Sequence, residues 1–347
     1  MFTILIGALL PSVMLVYMIY RVDRFVEPAS SMVIAFITGM CSPFVTLFFS
    51  YMFDLNLDRA LHPWMYALSM AALPEELGRL LLLLWVCKSW RAVGEPFDCL
   101  VYGATIWAGF ASTENILYAL NEVKTGENPV VILAIRASLC TMGHTAWGII
   151  MGAYVALYRY SEERSARWLF RGLLITVVLH LLYDGLLLSV HLGWPLLKIT
   201  GAIVVDTFSL VLAAVILIRL RAIQGISQGE GDLRLLQCEL FKRHLPDSTV
   251  GLLEIVSQFG LSGLFKMIFA MGCSALGLAL ILQCITEPGV DILWGGGLIY
   301  LGLKIWRSVL QLAYRVHLNT GAQLSDELIA VKQHRRLRLH FGPLKKD

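Results

Sequence analysis

Nine times between residues 2 and 314 the chain returns to an apolar run of about 20 residues, and this repetition constrains its fold more than any motif does. A helix rises about 1.5 Å per residue, so each run is long enough to cross roughly 30 Å of hydrocarbon. The runs lie near 2–20, 31–53, 63–86, 98–120, 130–158, 168–190, 196–218, 264–285 and 290–314. Inside lipid every backbone polar group must be satisfied within its own segment, which favours helices over isolated strands. The expected fold class is therefore all-α, a polytopic transmembrane helical bundle of about nine spans. A composition 57% hydrophobic and only 15% charged, with a mean hydropathy of +0.70, agrees with this. The first run lacks a basic leader and is followed at once by further spans, so it reads as a retained helix rather than a cleaved signal.

The net charge of +3 says less than where the charges fall. Taking alternate loops, twenty-three Lys and Arg lie on one side and three on the other. By the positive-inside rule this places the N-terminus outside and the C-terminus in the cytoplasm, in a cell (plasma) membrane. Four regions follow: a seven-span core over 1–221, a polar Gly-containing cytoplasmic insert over 222–262, two further spans over 263–318 and a basic tail over 319–347. The tail "KQHRRLRLHFGPLKKD" reads as an anchor to anionic headgroups, with no nucleic-acid partner implied. Seven scattered cysteines with no CxxC pair suggest neither a disulfide framework nor a thiolate metal site.

Candidate chemistry comes from polar groups that lie at bilayer depth. "LPEELGRLLLLLW" puts Glu75, Glu76 and Arg79 in the third span, and Glu114, Asn115, Arg136, His144, His180 and Asp184 follow in the next three. A charge at the bilayer centre costs at least about 2.5 kcal/mol, so such groups face the bundle interior and pair or work. Glu75 and Arg79 share one helical face, so the guanidinium could compensate either acid and leave the other for chemistry. His180 and Asp184 are also four apart. Asp184 could fix the tautomer of His180 and leave its second nitrogen for a water, a metal or an oxyanion. Arg136 reads equally as a snorkelling anchor or a working group, and Asp206 as a lone polar contact.

Four motifs, in order on successive spans, resemble those of the PrsW family of intramembrane proteases, within a wider group holding the CAAX prenyl proteases and the APH-1 subunit of γ-secretase. They are "EELGR" (Glu75, Glu76, Arg79), "FASTEN" (Phe110, Glu114, Asn115), "GHTAWGIIMG" (His144) and "HLLYD" (His180, Asp184). The loop "DRFVEP", Asp23 to Pro28, resembles the family's junction between the first two spans. The likeness covers about residues 15–220. Arg79 stands where the family commonly has Lys, and the C-terminal membrane region is additional to the core.

The resemblance implies hydrolysis of peptide bonds in membrane-embedded or membrane-proximal parts of an integral membrane protein substrate, for PrsW a single-pass anti-sigma factor, within the lipid bilayer. Catalytic roles then fall to Glu75, Glu76, Glu114, His144 and His180, with Arg79, Asn115 and Asp184 supporting. Glu75 or Glu76 would be the general base. Glu114, His144 and His180 would either hold a zinc ion or supply oxyanion donors without metal. Two other readings stay open. Buried acids and imidazoles also build proton or cation relays in transporters, although no paired broken helices in two related halves are present. A proteolytically inert scaffold is the other, but a scaffold has no use for two adjacent acids.

Overall fold

The computed structural model describes residues 1–90, 92–161 and 164–226, together with six isolated helical positions further on. Among these residues there are helices and no strands. The expected insert over 222–262 (all but its first residues), the two further spans over 263–318 (all but those six positions) and the basic tail lie outside the described residues. Five helical stretches are long and apolar enough to cross a membrane: Phe2–Val22, Ala29–Phe53, Pro129–Tyr160, Arg167–Leu188 and Pro195–Arg221. The chain is thus a membrane protein that is all-helical over its described residues.

Helices α1 (Phe2–Val22) and α2 (Ala29–Phe53) carry the first two runs. Their outward faces are apolar and open, with Phe44, Leu47, Phe48 and Tyr51 all well exposed, as suits side chains that meet lipid. The third run is one continuous helical rod, but not a uniform one. It begins as α3 (Pro63–Tyr66), widens to a π-helical segment over Ala67–Ala72 and tightens again as α4 (Leu73–Ser89). Pro74 explains the widening. A proline has no N–H to give to the carbonyl four residues back, and its ring crowds that carbonyl. Here that carbonyl belongs to Met70, inside the π segment, and it accepts instead from the Ser50 hydroxyl of α2 at 3.1 Å. The distortion ends one turn before Glu75 and Glu76, which fits the tendency of π segments to accompany functional sites.

Helix α5 (Pro96–Thr125) is the axis of the bundle. Pro96 opens it, Glu95 and Asp98 form a reciprocal capping box, and Gly126 closes it at φ +82°, a left-handed conformation that glycine adopts without strain. Its first half is buried all round. The fifth run is broken at Leu139 into α6 (Pro129–Ser138) and α7 (Cys140–Tyr160). Helices α8 (Arg167–Leu188) and α9 (Pro195–Ile226) complete the described bundle.

Backbones touch where α5 meets α7. A Cβ added at Gly148 would run into the Gly103 carbonyl, and one at Gly152 into the Cys99 carbonyl. Small residues at helix contacts substitute close van der Waals packing for the hydrophobic drive that lipid does not supply. Cys87 and Cys99 are free thiols with sulfurs 3.5 Å apart, buried between α4 and α5.

Candidate active site

The close α5–α7 contact, with α4 and α8 laid beside it, brings the polar residues of these helices into one buried network. Arg79 sits at its centre with no exposed surface. Its Nε donates to the Glu75 carbonyl at 3.0 Å, and its Nη2 to Glu75 Oε2 at 3.1 Å and Glu76 Oε1 at 2.8 Å. The fourth bond, from Nη1, reaches His144 Nδ1 on α7 at 2.9 Å. The guanidinium also lies 4.0 Å from the centre of the Phe110 ring. The sequence suggests that Arg79 serves one acid and releases the other; instead it holds both, the two N–H groups of Nη2 reaching one carboxylate each while Nε and Nη1 are fixed by the Glu75 carbonyl and His144.

The two glutamates are nevertheless unequal. Glu76 is fully enclosed: Oε1 accepts from Arg79 and faces His180 Nδ1 at 3.1 Å, and Oε2 accepts from the Trp107 indole at 3.0 Å. Glu75 places Oε2 against Arg79 and 3.7 Å from His180 Nε2, and its side chain is 11% exposed against 0% for Glu76.

The other candidates join from α5, α6 and α8. His144 Nε2 lies 3.0 Å from Glu114 Oε2. Arg136 is buried rather than snorkelling, donating from Nη2 to Glu114 at 3.0 Å and from Nε to Asn115 Oδ1 at 2.9 Å. Asn115 in turn donates to the Thr141 hydroxyl at 2.9 Å. His180 Nε2 lies 3.2 Å from Asp184 Oδ2, as the four-residue spacing suggests. Its second nitrogen is not left open, since Glu76 occupies it. Asp206 stands apart, fully buried with neither oxygen bonded. Sequence reasoning misses Trp107 and also Trp147, whose ring stacks on His180 at 4.5 Å between centres. An aromatic residue in a membrane helix gives no local sign of which residue it will touch.

Buried carboxylates and imidazoles in a helical membrane protein are the equipment of a membrane hydrolase or of an ion relay, and known proteins decide between the two. A family model described as PrsW family intramembrane metalloprotease matches residues 27–219. Relatives named protease PrsW include one from Geobacillus kaustophilus, 30% identical over 190 residues, covering 54% of this chain and 81% of the relative. The Bacillus subtilis relative is 29% identical over 189 residues (54% and 84%), and that of Clostridioides difficile 24% over 203 residues (57% and 84%). No solved structure matches. The chain belongs to the PrsW family and is a membrane protease.

The family description implies a metal, so the donors need to fit one. Glu75, His144 and His180 each bring a ligand atom within 4.8 Å of the other two, and two imidazoles with a carboxylate suit zinc by type. Glu114, expected from the sequence in that set, instead faces His144 and Arg136. The hydrogen bonds of the two rings oppose ligation. Arg79 can only donate, so His144 Nδ1 must accept from it, and the one ring proton then sits on Nε2, facing Glu114. Both nitrogens of His180 face carboxylate oxygens, which accept, so both are used as donors. Neither ring offers a lone pair to a shared centre, and a guanidinium stands among the donors. In this arrangement the residues do not fit a zinc ion.

Proposed function

We propose that the chain hydrolyses peptide bonds in membrane-embedded or membrane-proximal segments of integral membrane proteins, single-pass anti-sigma-factor-like proteins among them, with Glu75 as general base. The observation that carries this reading is the inequality of the two glutamates: Glu76 has both oxygens committed, whereas Glu75 keeps one oxygen outside the Arg79 bond and a partly open side chain.

Glu75 takes a proton from a water held against it, and the oxygen attacks the peptide carbonyl carbon. The His180 Nε2–H, bonded to Asp184 but also facing Glu75, and the His144 Nε2–H, bonded to Glu114, would each have to be shared with the developing oxyanion to serve as its donors. Glu75 then gives its proton to the leaving amide nitrogen as the C–N bond breaks, which balances the hydrolysis. Arg79 keeps Glu76 ionised, Glu76 and Asp184 hold the His180 ring between them, and Arg136 with Asn115 fixes Glu114 behind His144. Phe110, Trp107 and Trp147 wall the network from lipid, in a low-dielectric setting where each donor counts for more.

On this reading residues 1–221 are the catalytic core, the N-terminus lies outside and the C-terminus in the cytoplasm of a plasma-membrane protein. The basic tail anchors to headgroups. The test is cleavage of a panel of single-pass proteins in liposomes by the purified wild type, Glu75→Gln and His180→Ala. Product from the wild type that falls about a hundredfold or more in both variants supports the assignment. Undiminished cleavage by Glu75→Gln removes Glu75 from the role of base.

A further inference from the structure

The loop Asp23 to Pro28, which the sequence marks and the catalytic network leaves unused, folds against the α4–α5 junction and the last turns of α9. Asp23, Glu27 and Asp98 are only 5%, 5% and 2% exposed. One carboxylate oxygen from each of Asp23, Glu95 and Asp98 lies within 4.8 Å of the other two. The Gln224 amide of α9 donates to Asp23 Oδ1 at 3.1 Å and to Glu95. Tyr102 donates to Glu27 at 2.5 Å, and the backbone N–H groups of Gly94 and Glu95 donate to Asp98 Oδ2 at 2.5 and 2.8 Å.

These bonds leave two enclosed oxygens without any partner, Asp23 Oδ2 and Asp98 Oδ1. Buried carboxylate oxygens are almost always bonded, and carboxylates crowded together repel. A hard cation removes both difficulties at once. Calcium takes oxygen ligands at about 2.3–2.6 Å, so two ligands of one ion can stand nearly 5 Å apart, in keeping with the spacing here. Without imidazole or thiolate, the set favours oxygen-seeking ions over transition metals.

We propose that Asp23, Glu95 and Asp98 form a binding site for an oxygen-seeking divalent cation, calcium or magnesium, that clamps the α1–α2 loop to the start of α5. Gln224 ties the end of α9 to the same acids, so the ion stiffens three elements together. The site is separate from Glu75 and its partners and stands or falls independently of the hydrolytic mechanism.

The test uses the full chain in zwitterionic phosphatidylcholine nanodiscs with terbium as a luminescent stand-in for calcium. Tyr102, bonded to Glu27, and Trp90, 5.4 Å from it between ring centres, are built-in sensitisers. Saturable emission displaced by calcium or magnesium, with affinity at least about tenfold weaker in Asp23→Asn and Asp98→Asn, is the expected result. The wild type should also melt higher with the favoured ion, and the variants should not. Melting without added ion reports whether each variant folds, and two substitutions on different elements guard against the loss of one. Absence of saturable emission, or emission unchanged in both variants, overturns the proposal. So does a wild-type melting temperature that no divalent ion raises, the result expected if the acids merely share protons.

Discussion

Two buried acidic groups sit in this bundle, and they solve the same electrostatic problem differently. Around Glu75, Glu76 and Glu114 the negative charge is met by two guanidiniums and an imidazole flanked by carboxylates. Around Asp23, Glu27 and Asp98 the described hydrogen bonds come from an amide, a phenol and backbone N–H groups. Burial, the largest influence, raises the Glu27 carboxyl above its ordinary value of 4.5. The first group carries cations of its own beside its acids and can hold charged side chains out of water. The second lies at the end of the helices, and the hydrogen bonds described there come from neutral donors, which is the setting of the proposed cation site.

Substitutions that unbalance each group should separate them. The largest effect is expected from Arg79→Met, which leaves Glu76 enclosed without its countercharge. Removing one partner of a buried pair costs about 3–5 kcal/mol, so loss of the folded form in a melting assay is the outcome; retention of wild-type stability would show that the guanidinium is not what holds the acids. Gly148→Leu should also unfold the core or loosen it markedly, since its side chain would enter the space of the Gly103 carbonyl, and melting in detergent reads this directly. A smaller loss, about 1–3 kcal/mol, is expected for Trp107→Phe, which deprives Glu76 Oε2 of its donor; cleavage should fall with it if the Glu76 position matters to His180. Asp98→Asn should change stability least. In the absence of divalent ions it should stay close to the wild type, because losing one of several crowded charges offsets a weaker cap on the Gly94 and Glu95 N–H groups, and a loss well beyond the roughly 1 kcal/mol of a cap would mean that the charge itself is already paired.

Much of the first group was legible in the sequence. Charged residues stand out in apolar runs, and four-residue spacing correctly joins Glu75 to Arg79 and His180 to Asp184. What spacing cannot carry is the pairing of helices. Arg79 and His144 are 65 positions apart, and Gln224 and Asp23 are 201 apart, so their contacts depend on which backbones approach each other. The assignment of Glu114 to a metal-ligand set shows the same limit: Arg136 captures it from a neighbouring helix. The π segment has a signal after all, in a proline within an apolar run, but its rescue by Ser50 needs the α2–α4 packing. The break at Leu139 has no such signal in the residues around it.

The central claim is that this network activates water through Glu75 without a metal among Glu75, His144 and His180. The most direct measurement is the rate of substrate cleavage in liposomes by protein stripped with a strong zinc chelator, with metal content determined on the same sample. Cleavage that persists at the untreated rate in metal-free protein, and vanishes in Glu75→Gln, is the predicted result. Cleavage lost on stripping and restored by zinc alone would contradict it, and would mean that Arg79 leaves His144 when the enzyme works.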